Sequence, residues 1–539
     1  MKGRFLYLIF LFLLSLSFID CAKRGRVEGG SRDTIPPVIV RSVPENYTTH
    51  FKGNEIRIYF DEYIKMKDLQ KQLIISPPLD NQPMIHPFST SKFIKVVFSD
   101  TLKHNTTYTI NFGNSIVDNN EENPYPFYKY VFSTGSYIDS LKVSGTLSDA
   151  LSNLPDEDII VMLYEVNEKY NDSIIYQKKP LYISNNRLNA KEFSIENIKA
   201  GKYQLIALND KNNNYLFDPK TDKIGFVKEF ITVPTDTTYH LTLFKEKLDY
   251  KLERASSVNN QLVQFGYEGS TDSIKIEFLN DKPQNFESRI TWDSGKDTLY
   301  YWYKPTIETD SLNFMVFNQK NVDTLSIRAR DIAIDSIRVS ALKTGTFTFD
   351  EMLKITSNLP IESYQEENIK ILNKDSIEVS FGTLLDKKFN ILEIDFEKEE
   401  SQNYLITLFP EAITDFFGNV NDTLTLRINT RTRADYGFLS MQVIYQKPYP
   451  LIVELIKENG EAVQSISQIL QKGQLNKTFS FPDIIPGNYY VRVIIDKNSN
   501  GIFDTGNFLT KSPPEEVIYF PNLIEIRANW TLSETFVLD

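Results

Sequence analysis

The 539-residue chain contains one cysteine, Cys21, and four histidines, His50, His86, His104 and His240. A single thiol excludes an intramolecular disulfide and any cysteine-based zinc site. No two histidines stand three or four residues apart, so a helical zinc pair is missing too. The Gly-x-Ser-x-Gly elbow, the phosphate-binding P-loop and the Gly-x-Gly-x-x-Gly fingerprint are absent. Lys343-Thr344-Gly345 matches a fragment of a β-lactamase motif without its companions, and it reads as a turn. Long helical runs of Ala, Leu and Glu are nearly missing. Excess positive charge is missing as well: the net charge is −12, which excludes a general nucleic-acid binder.

Aromatic residues are abundant, with 37 Phe and 29 Tyr. Such a composition suits many half-buried strands. Strand signals recur from Val38 onward, for example Glu55-Ile56-Arg57-Ile58-Tyr59-Phe60 and Tyr108-Thr109-Ile110-Asn111-Phe112. Each alternates apolar and polar side chains and is bounded by Asp, Asn, Pro or Gly. The expected class is all-β, as β-sandwich domains in series.

The N-terminus carries an address. Lys2 and Arg4 precede an apolar stretch, residues 5–16, that is too short to span a bilayer well. This is the pattern of a secretory signal over residues 1–20. Cys21 follows at once and is the expected lipid attachment point, so the chain is expected to be anchored at a cell outer membrane. Phe18-Ile19-Asp20 departs from the small residue that usually precedes a lipidated cysteine. Residues 21–32 are polar and Gly-rich, a flexible tether. Lys23, Arg24 and Arg26 are basic where surface-exported lipoproteins carry an acidic run, which favours the periplasmic face and leaves the surface leaflet open.

The remaining chain reads as five segments: 33–136, 137–247, 248–335, 336–433 and 434–539. The first carries Asp33-Thr34-Ile35-Pro36-Pro37, Ser42-Val43-Pro44-Glu45-Asn46, Ile58-Tyr59-Phe60-Asp61-Glu62 and Val131-Phe132-Ser133-Thr134-Gly135. In these landmarks it resembles the bacterial Ig-like domains of S-layer and other envelope proteins. The second carries Phe193-Ser194-Ile195-Glu196-Asn197-Ile198 and then Gly201-Lys202-Tyr203. It resembles transthyretin-like or carboxypeptidase-regulatory-like sandwiches. That grammar returns as Phe479-Ser480-Phe481-Pro482-Asp483-Ile484 and Gly487-Asn488-Tyr489. Asn403-Tyr404-Leu405 and Asn429-Thr430-Arg431 likewise repeat the close of the first Ig-like segment. The expected order is therefore Ig-like then transthyretin-like, twice, around a middle β-domain. With Cys21-Ala22-Lys23-Arg24-Gly25 ahead of it, the pattern resembles an envelope lipoprotein family of the Bacteroidetes.

Two loops hold the best chemical feature. Asp210, Asn212, Asn214 and Asp218 occupy positions 1, 3, 5 and 9 of one, and Asp496, Asn498, Asn500 and Asp504 the same positions of the other. Oxygen side chains at that spacing make most of a calcium loop. The bidentate Glu of position 12 is replaced by Thr221 or Asn507, and position 6 is Gly501 in one loop but Tyr215 in the other. Calcium is the expected cofactor, of the weak extracellular class at ~10⁻⁴–10⁻³ M. The alternative is a metal-free turn held by Asx hydrogen bonds.

Thr298-Leu299-Tyr300-Tyr301-Trp302-Tyr303 is an aromatic strand. Exposed, it would stack sugars; burial of Trp302 and Trp292 would count against that use. No carboxylate pair is placed for catalysis, and no catalytic residue is expected. The expected function is a non-enzymatic structural or interaction protein at the outer membrane. A further expectation, by resemblance, is an accessory subunit of a β-barrel assembly or transport machine with a barrel partner. The alternative is a lipoprotein that binds carbohydrate or a surface polymer.

Overall fold

The computed structural model describes residues 33–186, 191–446, 449–468 and 476–538. Cys21 and residues 1–20, expected from the sequence to be a secretory signal, lie outside the described residues. The fold is all-β: strand follows strand, and among the described residues helix is confined to short turns such as Leu69–Gln72. Alternation builds it. The strand Glu55–Met66 buries Ile56, Ile58 and Phe60 and turns Glu55, Arg57 and Tyr59 to the other face. No described helix is long and apolar enough to cross a membrane.

The chain divides into two compact units. The first ends at Leu141 and takes in Glu196–Lys199. One of its sheets runs in the order Ile39–Val43, Glu55–Met66, Ser91–Val97, Met84–His86, with Ile116–Asp118 also paired to Glu55–Met66. The other is Ile74–Ser76, Thr107–Asn111, Lys129–Ser133. Ile58, Ile94, Ile110, Phe112 and Phe132 pack between them. Each such side chain contributes about 1.5–3 kcal/mol by leaving water.

The second unit contains one topology twice. Its first copy has a sheet ordered Tyr182–Asn185, Ile160–Glu165, Gly201–Asn209, Lys223–Phe226, with Ile231–Val233 also on Gly201–Asn209. Facing it are Glu192–Ile198, Leu141–Asp149 and Thr238–Leu243, the last two parallel; of the first two strands, residues 192–195 and 142–149 belong to this unit. The second copy matches strand for strand: Ala462–Gln468, Leu451–Ile456, Gly487–Ile495, Val517–Tyr519, with Ile524–Ile526 on Gly487–Ile495. Its facing sheet is Asn476–Ile484, Gly437–Ile444, Thr531–Val537, again with a parallel pair. In both copies the Gly at the start of the core strand lies under a tyrosine ring. A Cβ on Gly201 would stand 3.2 Å from the Tyr203 ring, and one on Gly487 3.5 Å from that of Tyr489.

Between the copies stand two further sandwiches. One pairs Lys251–Asn259, Leu262–Glu268, Thr298–Lys304 and Glu287–Trp292 against Lys275–Phe278, Ser311–Asn318 and Asn321–Arg328. The other has Leu353–Ser357 and Ile391–Phe396 in one sheet and Asn403–Leu408 and Leu424–Thr430 in another.

A second repeat shows in the hydrogen bonds. The Lys103 N–H donates to Tyr108 Oη at 2.8 Å, and the Glu399 N–H donates to Tyr404 Oη at 2.7 Å. Thr134 Oγ1 accepts from the Thr106 N–H and donates to the Lys103 carbonyl. Thr430 Oγ1 accepts from the Gln402 N–H and donates to the Glu399 carbonyl. Both are tyrosine corners of the kind that closes Ig-like sandwiches.

Candidate functional site: two Asp/Asn loops and a covered aromatic strand

Each loop leaves its core strand, Gly201–Asn209 or Gly487–Ile495, directly. The leading carboxylates turn inward and are buried, Asp210 at 8% exposure and Asp496 at 1%. Asp210 accepts the N–H groups of Asn212 and Tyr215, and Asp496 those of Asn500 and Gly501. Asn214 Oδ1 accepts the Leu216 N–H, and Asn500 Oδ1 the Ile502 N–H. In the second loop the Asn498 and Asn500 amides both donate to Asp504 Oδ2, at 2.5 and 2.7 Å. In the first the Asn212 amide donates to Thr221 Oγ1 instead. Asp218 accepts the Lys220 N–H.

The backbones agree where the sequences differ. Position 6 is left-handed in both loops, with Tyr215 at φ 60° and Gly501 at φ 79°. Tyr215 thus holds a conformation that costs a side-chain-bearing residue roughly 1–2 kcal/mol. Asn213 and Ser499, at position 4, are also left-handed.

A second carboxylate closes each loop. Asp222, fully buried, accepts the Lys211 N–H on Oδ1 and the Asp218 N–H on Oδ2. Glu515 accepts the Lys497 N–H on Oε1 and the Asp504 N–H on Oε2. The two residues do the same work on the same loop positions. Sequence spacing does not reveal that Asp222 and Glu515 correspond, because ten residues separate Glu515 from Asp504 where three separate Asp222 from Asp218. Only the repeated topology aligns them.

Burial pushes the Asp210 carboxyl above its usual range, opposed by the N–H groups of Tyr215 and Asn214. The arrangement suits stiffening of a hairpin. Each loop has Asp and Asn oxygens suited to a hard cation, yet among the described residues no three His, Cys, Asp or Glu side chains converge to hold a metal ion. Most of the oxygens already accept backbone N–H groups.

The aromatic strand Thr298–Lys304 is covered on both faces. Tyr301 and Tyr303 enter one core, among Phe265, Phe278 and Phe314. Trp302, at 6% exposure, packs with Leu262, Leu359 and Phe416. Its Nε1–H donates to Thr291 Oγ1 at 2.9 Å. Trp292 is half-buried, and its Nε1–H donates to Thr271 Oγ1 at 3.0 Å. No sugar-stacking platform is presented by this strand.

The match to known proteins falls on the first sandwich. Residues 33–134 match the bacterial Ig-like domain family. This Ig-like domain contains the Tyr108 corner described above, and series of such domains serve as structural or interaction modules. No curated protein matches the chain. Among solved structures, the S-layer protein fragment rSbsC(31–844) is 10% identical, over 90% of this chain and 67% of that one, with a TM-score of 0.14. The titin fragment A168–A169 is 11% identical, over 34% of this chain and 98% of its own, with a TM-score of 0.14. Neither superposes closely enough to carry a functional parallel.

Proposed function

We propose that the chain is a non-enzymatic lipoprotein of a Bacteroidetes-type outer membrane, anchored through Cys21 and facing the periplasm. Its sandwiches hold an interaction surface for a protein partner. That partner is proposed to be an outer-membrane β-barrel, with the chain an accessory subunit of an assembly or transport machine. The observation that carries this reading is the repeated pair of sandwich types, matched in strand order and in corner hydrogen bonds. Duplicated rigid modules with side chains committed to packing and turns suit a scaffold.

In the same proposal the Asp210 and Asp496 loops are structural braces. They take calcium weakly, through Asp210, Asn212, Asn214 and Asp218 and through Asp496, Asn498, Asn500 and Asp504. The carbohydrate-binding alternative loses the feature that favoured it, because Trp302 is buried.

The test follows the anchor. Wild-type protein is expected to fractionate with the outer membrane and to incorporate labelled fatty acid. Cys21→Ala is expected to lose the label and enter the soluble fraction. Unlabelled wild-type protein in the soluble fraction would overturn the proposal.

A further inference from the structure

The two copies of the transthyretin-like topology differ in the link that follows each Asp/Asn loop. Three residues link Asp218 to Asp222, and ten link Asp504 to Glu515. The extra length forms an arm that reaches the other copy, more than 250 residues away in the chain.

Phe508, fully buried at 0% exposure, is the arm's anchor. Its ring meets Phe226 edge-on, with centroids 5.3 Å apart. Its N–H donates to Glu246 Oε1 at 2.5 Å, and Thr505 Oγ1 donates to the Lys245 carbonyl. Lys511 Nζ lies 3.6 Å from the Phe508 ring centroid and donates to Asp172 Oδ1 at 2.7 Å. Gly506 permits the approach, since a Cβ there would stand 2.6 Å from the Phe244 ring. Asn507 and Ser512 exchange backbone hydrogen bonds and hold the arm's tip.

A second contact lies elsewhere on the two modules. Arg492 Nη1 donates to the Leu151 carbonyl at 2.7 Å, while its Nε is held by Glu454 at 2.6 Å. A cleft of about 570 Å³ also lies between these modules, lined by Ser148, His240 and Thr242 from one and Lys497, Glu516 and Ile518 from the other. Local contacts beside an open cleft are unlike a continuous interface. One buried aromatic with polar groups around it resembles a transient contact between domains.

We propose that residues 505–514 are a releasable latch that clasps the last sandwich onto the first transthyretin-like sandwich and sets whether that pair is closed or free. The arm starts at the Asp496 loop and ends at Glu515, so whatever stiffens that loop also positions the latch. Closure buries Glu246 and partly covers Lys511. Burial raises the Glu246 carboxyl, opposed by the Phe508 N–H, and lowers the Lys511 ammonium, opposed by Asp172.

The test uses the full chain and three variants. Phe226→Ser removes the seat and leaves the arm intact. Lys511→Met removes the ion pair. The third variant shortens the arm to the three-residue link of the first copy, a length that copy already accommodates. Chymotryptic cleavage after Phe508 is expected to rise at least tenfold in Phe226→Ser and several-fold in Lys511→Met. The radius of gyration from small-angle scattering is expected to increase in Phe226→Ser and in the shortened chain. An unchanged cleavage rate in both point variants, or unchanged scattering in Phe226→Ser and the shortened chain, would overturn the latch. Far-ultraviolet circular dichroism matching wild type separates opening from unfolding.

Discussion

At the scale of the residue, the hydroxyl of one buried tyrosine closes each corner. Tyr108 and Tyr404 accept N–H groups that would otherwise be unpaired near the core. Tyr108→Phe and Tyr404→Phe are each expected to cost about 1 kcal/mol in urea unfolding. Asp118 has a related duty in the Ig-like domain. It is buried and accepts the N–H groups of Asn120, Glu121, Glu122 and Asn123. Burial pushes its carboxyl up, but these four donors outweigh burial and hold it below the usual range. Lys65 and Lys67 draw Glu122 down to about 2. Groups depressed in the folded state contribute stability above their unfolded pKa and lose it as pH falls through the folded value. The Ig-like domain is therefore expected to weaken progressively below about pH 4. Asp118→Asn should flatten that acid limb in melts taken from pH 7 to pH 2; an equally steep limb would remove Asp118 from the cause. The corner tyrosines were legible as strand residues, but their hydroxyl partners were not. A residue five positions upstream becomes the donor only once the sheet turns the chain back.

At the scale of the element, the two loops show what spacing can and cannot reveal. Asp and Asn at alternate positions announced the turns, and the structure uses them as backbone acceptors. Tyr215 read as a departure from the loop pattern, yet it keeps the left-handed conformation of Gly501. Gly501→Val is expected to lower stability by about 1–2 kcal/mol, because a branched side chain resists positive φ. Tyr215→Gly is expected to stay within about 1 kcal/mol of wild type, since relief of φ offsets the greater entropy of glycine. Asp222→Ala and Glu515→Ala each strand two N–H groups and are expected to cost about 2–3 kcal/mol. Under the proposed calcium role, raising calcium to ten times its Kd adds about 1.4 kcal/mol for each loop. The resulting rise in Tm should vanish in Asp496→Ala combined with Asp210→Ala. An identical Tm with and without millimolar calcium would leave the loops as hydrogen-bonded turns alone.

At the scale of the whole molecule, the sandwich class was legible from alternation, and the structure repeats one strand order in the stretches that carry Gly201-Lys202-Tyr203 and Gly487-Asn488-Tyr489. Packing between modules was not. Alternation along the strand puts Tyr300 and Trp302 on the face opposite Tyr301 and Tyr303, but only tertiary structure brings Leu359 and Phe416 to cover Trp302. Lys304 reinforces that cover, donating to the Phe416 carbonyl at 2.7 Å. Phe416→Ala is expected to cost about 3 kcal/mol and to raise the fluorescence accessibility of Trp302 to acrylamide. The arm that carries Phe508 was equally hidden, because its meaning depends on a module far away in sequence. The most direct measurement is recovery of the tagged full chain from gently solubilised outer membranes, with quantification of what accompanies it. A β-barrel protein in stoichiometric amount, lost when one sandwich is deleted or Cys21 is replaced by Ala, is the expected result. Recovery of the chain alone, from membranes where it is abundant and intact, would contradict the proposed role.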